Sequence, residues 1–212
     1  MKYYISDLHF GQASLLSQMD KRGFESVEAM DEYMINQWNS QVRNKDDIII
    51  LGDFATYTNV EKINDLLERL NGKKTLICGN HDRFLKKAGF HSELFEQITP
   101  YLELNDHCRK VILSHYPIVC YNGQYWRDAD GNSQTYMLYG HVHNTEDEYF
   151  IQRYIDWVRS CERCMHESEP MIKVPLQMIN CFCMFSNYKP LTLTDWIKLD
   201  QERRANVLSV MA

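Results

Sequence analysis

Five short groups of Asp, Asn and His residues each follow an apolar segment of this chain. They are Asp7 and His9 after residues 3–5, Asp53 after residues 48–51, Asn80, His81 and Asp82 after residues 75–78, His115 after residues 111–113, and His141 and His143 after residues 137–139. The apolar segments are rich in β-branched and aromatic residues, which favours strands. Ligands of open α/β sheets bind beyond the carboxyl ends of the strands. The five groups therefore predict one shared metal site.

The types of side chain in these groups narrow the choice of metal. Imidazole, carboxylate and amide ligands without a thiolate suit a transition metal such as Mn, Fe or Zn. The candidate ligands are Asp7, His9, Asp53, Asn80, His115, His141 and His143. Seven side chains are too many for one ion and fit a pair of divalent cations that share a carboxylate. Alone, each group is more often a turn or a structural histidine, but five in order, each after a strand, favour the metal site.

Composition restricts the class of protein. A chain of 212 residues with 44% hydrophobic and 25% charged residues fits one α/β domain with a substantial core. The formal net charge of −6 argues against an extended nucleic-acid surface, which is usually basic. No apolar run reaches the length of a membrane span, and the first strand begins too early for a signal peptide. Seven cysteines, an odd number, suit reduced thiols, so a cytoplasmic location is expected.

The spacing of apolar residues predicts the elements that carry these groups. Strands are expected at residues 2–6, 48–51 and 73–78, with helices over about 26–42 and 58–70 between them. This alternation predicts a parallel sheet. In the second half, strands are expected at 94–104, 109–113, 137–139 and 177–185, a helix over about 145–161 and a short helix over 194–199. Ser26, Thr58, Thr145 and Thr194 are the candidate N-caps.

The order of the five motifs resembles that of a known family. Asp-x-His, Gly-Asp, Gly-Asn-His-Asp, Ser-His-Tyr-Pro and Gly-His-x-His follow one another as in the calcineurin-like metallophosphoesterases, and the similarity runs from Lys2 to about Leu199. Residues 5–11, 38–39 and 187–191 are similar to the small bacterial and phage branch of that family. Gln12 departs from this branch, which often has His there. Because Gln12 is outside the candidate ligands, the departure concerns substrate contacts or the groups that support the ligands, not the metals themselves.

The resemblance implies a fold and an activity. The fold would be α/β, a two-sheet β-sandwich flanked by helices in four αββα layers. It would form a single domain over residues 1–212, with a helical insertion at about 145–170. The activity would be that of a hydrolase, a dinuclear-metal-dependent phosphoesterase acting on a phosphate mono- or diester through a metal-bridging hydroxide. Both phosphatase and phosphodiesterase activities are compatible with this.

The resemblance also implies roles for the candidate residues. The first metal would be held by Asp7, His9, Asp53 and His143, and the second by Asp53, Asn80, His115 and His141, with Asp53 bridging. His81 would act as general acid or hydrogen-bond donor to the leaving group. Asp82 would either orient His81 or cap the short helix that follows it.

Substrate and partner predictions rest on fewer residues. The substrate is expected to be a small phosphate ester, nucleotide-like esters included, with no membrane partner. The aromatic groups at residues 125–127 and 149–157 could stack a base or belong to the core.

A nuclease of the same family is the alternative function, which the acidic net charge of the chain disfavours. A non-catalytic scaffold is a weaker alternative, because no candidate ligand is missing. Cys161, Cys164 and His166 resemble half a zinc site, but a cysteine-bearing helix end is favoured.

Overall fold

The first half of the chain forms a four-stranded parallel sheet. The computed structural model describes residues 1–164, 167 and 170–210, with side chains described up to residue 205. The strands are β1 (Lys2–Ile5), β2 (Asp47–Ile50), β3 (Lys73–Ile77) and β4 (Gln97–Thr99), paired in the order β1-β2-β3-β4. Helix α1 (Val27–Gln41) joins β1 to β2, and α2 (Val60–Arg69) joins β2 to β3. The predicted strand–helix alternation is confirmed.

The second half forms a mixed four-stranded sheet. Its strands are β5 (Tyr101–Asp106), β6 (Arg109–Ser114), β7 (Thr135–Tyr139) and β10 (Met178–Asn180), in the order β10-β7-β6-β5. β5 and β6 are antiparallel, and the other two pairs are parallel. Between β7 and β10 lie α3 (Glu146–Ser160) and a hairpin of β8 (Glu162–Arg163) and β9 (Ile172–Lys173). Helix α4 (Leu193–Val210) follows β10.

Three clusters of buried hydrophobic residues lie between the helices and the two sheets, which form four layers. Tyr4 and Ile49 of the first sheet pack with Leu113 and Leu138 of the second, so the two sheets face each other. The opposite face of the first sheet packs against the apolar sides of α1 and α2. The opposite face of the second sheet packs against α3, where Ile155 is fully buried. The period of two along each strand produces this arrangement, and the predicted αββα sandwich is confirmed.

Helix boundaries follow local capping chemistry, with two differences from expectation. Ser26 caps α1 as predicted, because its hydroxyl accepts from the backbone N–H of Ala29 at 3.1 Å. Asn59, not Thr58, caps α2. The last helix begins at Leu193 and is much longer than expected. Its first turn is capped by the Thr192 hydroxyl, which accepts from the Asp195 N–H at 3.2 Å.

Two predicted strands were wrong in extent. The strand predicted over 94–104 is divided into β4 and β5, which belong to different sheets. Pro100 lies at the division, and proline has no N–H for a sheet ladder. The strand predicted over 177–185 ends at Asn180, and a 3₁₀-helix, Cys183–Ser186, follows it. At both places the chain passes from one layer to the other. The spacing of apolar residues along the sequence does not predict such a crossing.

The helix predicted over 145–161 is present as α3. Its description as part of an insertion at 145–170, within a single domain, stays a prediction. His166, the third residue of the half zinc site, lies outside the described residues, and the Cys161 thiol contacts the carbonyl of Trp157 at 3.3 Å. No helix in the described part of the chain combines the length and apolarity needed to cross a membrane.

Candidate metal centre

The residues that follow five strands meet at one end of the sandwich. Backbone hydrogen bonds join the loops directly: the N–H of Asp7 donates to Gly52 O at 3.1 Å and that of His9 to Asp53 O at 2.9 Å. The N–H of His141 donates to both carboxylate oxygens of Asp7, at 3.0 and 3.1 Å. These contacts join the loops of β1 and β2 in one sheet to the loop of β7 in the other.

The backbone at this end is held in an unusual conformation. Five of the seven candidate ligands have positive φ angles, between 49° and 71°: Asp7, His9, Asp53, His141 and His143. Non-glycine residues rarely adopt this left-handed region, and each costs of order 1–3 kcal/mol. Such a concentration of strain is typical of functional sites. It turns each side chain out of the strand direction towards the common centre.

Two glycines allow the loops to approach closely. A Cβ atom at Gly79 would overlap the backbone nitrogen and carboxylate of Asp53. A Cβ atom at Gly140 would lie 2.5 Å from Asp7 Oδ2 and 2.6 Å from Ser6 Cβ. The absence of a side chain at these two positions therefore lets the β3 and β7 loops pack against the two candidate carboxylate ligands.

One group of nitrogen and oxygen atoms is deeply buried. The Nε2 atoms of His9 and His143 lie 3.1 Å apart, and Asp7 Oδ1 lies 3.7 Å from His143 Nε2. Ligand atoms of these three residues all lie within 4.8 Å of one another. His9 Nδ1 is also buried and has no hydrogen-bond partner among the described residues. Two imidazole lone pairs and a carboxylate that converge in this way fit a divalent transition metal.

A second group lies on the more open side. Asn80 Oδ1 is 3.0 Å from both His115 Nε2 and His141 Nδ1. The other ring nitrogen of His115 donates to Leu51 O at 2.8 Å, so its Nε2 atom faces the centre. Such a hydrogen bond fixes the tautomer of a metal-binding histidine. Ligand atoms of Asp7, Asp53 and His115 also lie within 4.8 Å of one another, so Asp7 lies within reach of both groups.

Asp53 lies between the two groups. Its Oδ2 atom is 3.5 Å from Nε2 of His9 and 3.5 Å from Nε2 of His115. Its Oδ1 atom accepts from the backbone N–H of His81 at 2.7 Å. The carboxylate is therefore fixed by one oxygen and presents the other equally to both sides. This is the geometry that a bridging ligand needs, so the donor set fits two cations.

The charges of these groups are strongly coupled. Burial raises the pKa of Asp53, but the interaction with His115 and the charge of His9 outweigh it and lower the pKa to about 2. Burial lowers the pKa of His115, but the Asp53 and Asp7 carboxylates outweigh it and raise the pKa to about 9. Burial, together with the charges of His143 and Arg22, outweighs the attraction of the Asp53 carboxylate and lowers the pKa of His9 to about 3. Without a cation, the site therefore contains an imidazolium–carboxylate pair and a neutral histidine at pH 7.

His81 and Asp82 have different surroundings. The His81 ring is half-buried, its centroid 5.3 Å from that of His9, and no described side chain hydrogen-bonds to its imidazole. Asp82 is buried and accepts from three backbone N–H groups, those of Gly79 (2.7 Å), Asp53 (3.0 Å) and Phe54 (2.7 Å). It makes no capping hydrogen bond to the short helix that follows, so that predicted role was wrong. Within the described chain it holds the Asp53 loop and makes no hydrogen bond to His81.

One side of the centre is open to solvent. Asn80 and His141 are exposed, whereas His9 and His143 are buried. Tyr116 is 48% exposed, and its ring centroid lies 4.5 Å from that of His141. Of the aromatic groups suggested by sequence, Tyr125 packs on Arg163 of β8, and residues 149–157 belong to α3, so their contact with a substrate stays a prediction. Tyr116 directly follows a motif histidine, which was the available signal.

Asp20 is a second residue that sequence reasoning missed. Its Oδ1 atom accepts from His143 Nδ1 at 2.8 Å, so it contacts a candidate ligand from the side opposite the centre. Burial raises the pKa of Asp20, but the His143 and Arg22 interactions outweigh it and lower the pKa. Nothing in the loop over residues 11–24 identifies this acidic residue in advance, because its partner is 123 positions away.

Comparison with known proteins gives related sequences and a related structure. A family model described as calcineurin-like phosphoesterase matches residues 3–174. The uncharacterized protein MJ1445 of Methanocaldococcus jannaschii is 33% identical over 199 residues, which cover 93% of this chain and 89% of that protein. The gene 66 protein of Mycobacterium phage D29 is 30% identical over 165 residues, covering 67% of this chain and 78% of that protein.

The crystal structure of AQ665, a protein of unknown function from Aquifex aeolicus, has a similar fold. The TM-score is 0.63, and the match covers 94% of this chain and 98% of that chain. At 21% identity, the likeness concerns the fold alone.

Proposed function

Since this chain belongs to the calcineurin-like phosphoesterase family of metal-dependent hydrolases, we propose that it hydrolyses a small phosphate mono- or diester with two divalent cations. The observation that carries the proposal is the position of Asp53 Oδ2, 3.5 Å from His9 Nε2 on one side and from His115 Nε2 on the other. Two sets of donors, one on each side of a shared carboxylate, suit two cations and an in-line displacement at phosphorus.

The proposed ligands divide into two sets that share Asp53. One cation would be held by Asp7, His9, Asp53 and His143. The other would be held by Asp53, Asn80, His115 and His141. When bound, two such cations supply a nucleophile from water at neutral pH and neutralise charge on the phosphate oxygens. Nitrogen and oxygen donors without thiolate favour Mn, Fe or Zn.

Other residues of the chain act on the substrate directly. The backbone N–H of His81 donates to Asp53 Oδ1, and no described side chain hydrogen-bonds to its ring, so the ring is available to the ester. We assign it the transfer of a proton to the leaving oxygen, a contribution that typically accelerates a reaction by 10²–10⁴-fold. Exposed Asn80 and His141 mark the side from which the ester approaches, and Tyr116 borders it.

The activity is tested with protein stripped of metal and reconstituted with Mn²⁺, Fe²⁺ or Zn²⁺. The panel comprises aryl phosphomonoesters, bis-aryl diesters, cyclic and linear dinucleotides, and DNA. We expect metal-dependent hydrolysis of small esters. Cleavage of bis-aryl but not mono-aryl phosphate would assign a diesterase. Efficient cleavage of DNA alone would favour the alternative, a nuclease. A fully reconstituted protein that hydrolyses none of these would overturn the proposal.

The roles of the residues are tested with two variants. Asp53→Ala removes the shared ligand, so it should lose both bound cations and turnover. His81→Ala removes only the proposed proton donor, so it should keep both cations and lose about 10²–10⁴-fold in kcat. Elemental analysis beside kinetics separates the two results. An active, metal-replete Asp53→Ala protein would contradict the ligand assignment.

We also propose that the protein acts in the cytoplasm. The support is its cysteine content: Cys181 and Cys183 are buried thiols, and burial raises the pKa of Cys183 to about 12, so it stays protonated. Buried structural thiols of this kind are usual where the environment is reducing. Locating the tagged protein by cell fractionation tests this.

A further inference from the structure

A buried carboxylate outside the proposed ligand set contacts one of its histidines. Asp20 Oδ1 is 2.8 Å from His143 Nδ1, and the Asp20 side chain is only 2% exposed. Since an ionised carboxylate only accepts hydrogen bonds, Nδ1 of His143 carries the proton. Nε2 of the same ring then presents its lone pair to the centre, 3.1 Å from His9 Nε2. Asp20 thus selects the tautomer that a metal ligand requires.

The second oxygen of Asp20 binds a buried arginine. Arg22 Nε and Nη2 both lie 2.9 Å from Asp20 Oδ2, and the Arg22 side chain is fully buried. The same guanidinium donates from Nη1 to Leu8 O at 2.7 Å and from Nη2 to Asp7 O at 2.9 Å. These two carbonyls lie in the loop that carries Asp7 and His9. Arg22 therefore connects Asp20 to the backbone of two further candidate ligands.

The local backbone directs both side chains inwards. Lys21, between them, has a φ of 48°, and Gly23 after them has a φ of 73°. The segment is anchored to the preceding loop, because the N–H of Arg22 donates to Leu15 O at 3.0 Å. The left-handed residue Lys21 lies between Asp20 and Arg22, where the two charged side chains contact each other. A contact between Asp20 and Arg22 that is needed at the centre would account for the left-handed conformation of Lys21.

We propose that Asp20 and Arg22 form a positioning pair that holds His143, Asp7 and His9 ready to bind the more buried cation. This inference rests on the proposed function, since it concerns the same metal centre. Carboxylate–histidine hydrogen bonds fix the ring and raise the basicity of a metal-binding histidine, and their loss typically costs 10–100-fold in metal affinity. Neither residue reaches the substrate side, so their effect acts through the ligands.

The first test compares two buried Asp→Asn substitutions. Asp20→Asn keeps the shape of the side chain and removes its charge. Asp200→Asn is the matched control, because Asp200 is also buried and pairs with an arginine (Arg204 Nε, 2.7 Å) on α4, which supplies none of the proposed ligands. Metal-free proteins are titrated with Mn²⁺ and with Zn²⁺ against a competing chelator. We expect Asp20→Asn to bind one of two cations 10–100-fold more weakly and Asp200→Asn to bind both as the wild type does.

A second measurement remains informative if Asp20→Asn folds poorly. In the Zn²⁺-loaded wild type, NMR of labelled histidines should show a proton on His143 Nδ1, shifted downfield by the carboxylate. Asp20→Glu keeps the charge and should retain more metal affinity than Asp20→Asn. A purely structural role would change the unfolding midpoint of the metal-free protein without a selective effect on one cation.

The outcomes separate this inference from the proposed function. If the wild type binds two cations and Asp20→Asn binds them with unchanged affinity, the positioning role is wrong and the metal centre stands. A His143 ring that carries its proton on Nε2 in the Zn²⁺-loaded wild type also overturns it. If the wild type itself binds no cation, the proposed function fails first.

Discussion

The Nε2 atoms of His9 and His143 lie 3.1 Å apart in the buried part of the centre, although the two residues are 134 positions apart in sequence. His143 has its proton on Nδ1, which donates a hydrogen bond to Asp20 Oδ1. Its Nε2 lone pair is thus directed at the His9 ring. Such an approach of two imidazole nitrogens is stabilised when a cation takes both lone pairs.

The two halves of the centre should be separable by substitution. His143→Ala removes a ligand of the buried group only, and Asn80→Ala removes one of the open group only. We expect each variant to retain about one of the two cations after dialysis, since the other set keeps its donors. Elemental analysis of both variants beside the wild type provides the measurement. Loss of both cations from each variant would indicate a single inseparable cluster instead.

Cation binding should depend on pH through His115. Its pKa of about 9 in the metal-free protein means that it carries a proton at pH 7, which a cation must displace. The metal affinity should therefore rise with pH, by up to about tenfold per unit between pH 7 and 9 for one released proton. Calorimetry in buffers of different ionisation enthalpy counts the protons. Uptake without proton release at pH 7 would contradict the raised pKa.

The stability of the metal-free protein should follow the opposite trend. The pKa of His115 in the folded protein is raised above its ordinary value of about 6.5. Its contribution to stability is therefore fully present below pH 6.5 and is lost as the pH rises through about 9. Chemical denaturation at several pH values, with chelator present, measures this loss, and His115→Gln is the control that should abolish it.

The left-handed backbone at His141 predicts a difference between two small substitutions. His141 is exposed and has a φ of 71°, a value that glycine adopts without strain. His141→Gly and His141→Ala both remove the same ring, but only alanine retains the steric cost. We expect the glycine variant to be more stable by about 1 kcal/mol in the metal-free state. Equal free energies of unfolding for the two variants would show that the strain is relieved by some other change.

Tyr116 should influence which esters are preferred. Its half-exposed ring borders the open side of the centre, so it can stack on a planar leaving group. Stacking of this kind is worth about 1–3 kcal/mol, so Tyr116→Ala should lower kcat/KM for a bis-aryl diester roughly 5- to 160-fold. Tyr116→Phe should change it little, and an aliphatic diester should be affected less.

The cation content of the Tyr116 variants provides the necessary control. Because the ring also contacts His141, its loss could act through that ligand. If Tyr116→Ala loses metal, or loses activity equally on aryl and aliphatic diesters, the ring supports His141 and does not select the substrate.

Local sequence signals were enough to predict most of the elements that surround the centre. Each strand that precedes a motif is marked by its β-branched and aromatic residues, and the stripe of apolar residues after Ser26 specifies α1. These signals are local, since they depend on backbone preference and on the face that an element buries. The order of the five motifs predicted the seven side chains that the structure brings together, because binding sites of α/β sheets lie beyond the carboxyl ends of the strands.

The contacts that hold those side chains come from distant parts of the chain. Asp82 accepts from the Asp53 loop, Glu148 in the first turn of α3 is buried against Tyr139 and Asn180, and Asp20 accepts from His143. In each case the hydrogen-bond partner depends on which segments of the chain pack together. The sequence around a polar residue looks the same whichever distant partner that residue contacts. Secondary structure depends on neighbours along the chain, whereas the direction of a buried polar side chain depends on which distant groups would otherwise lack a partner.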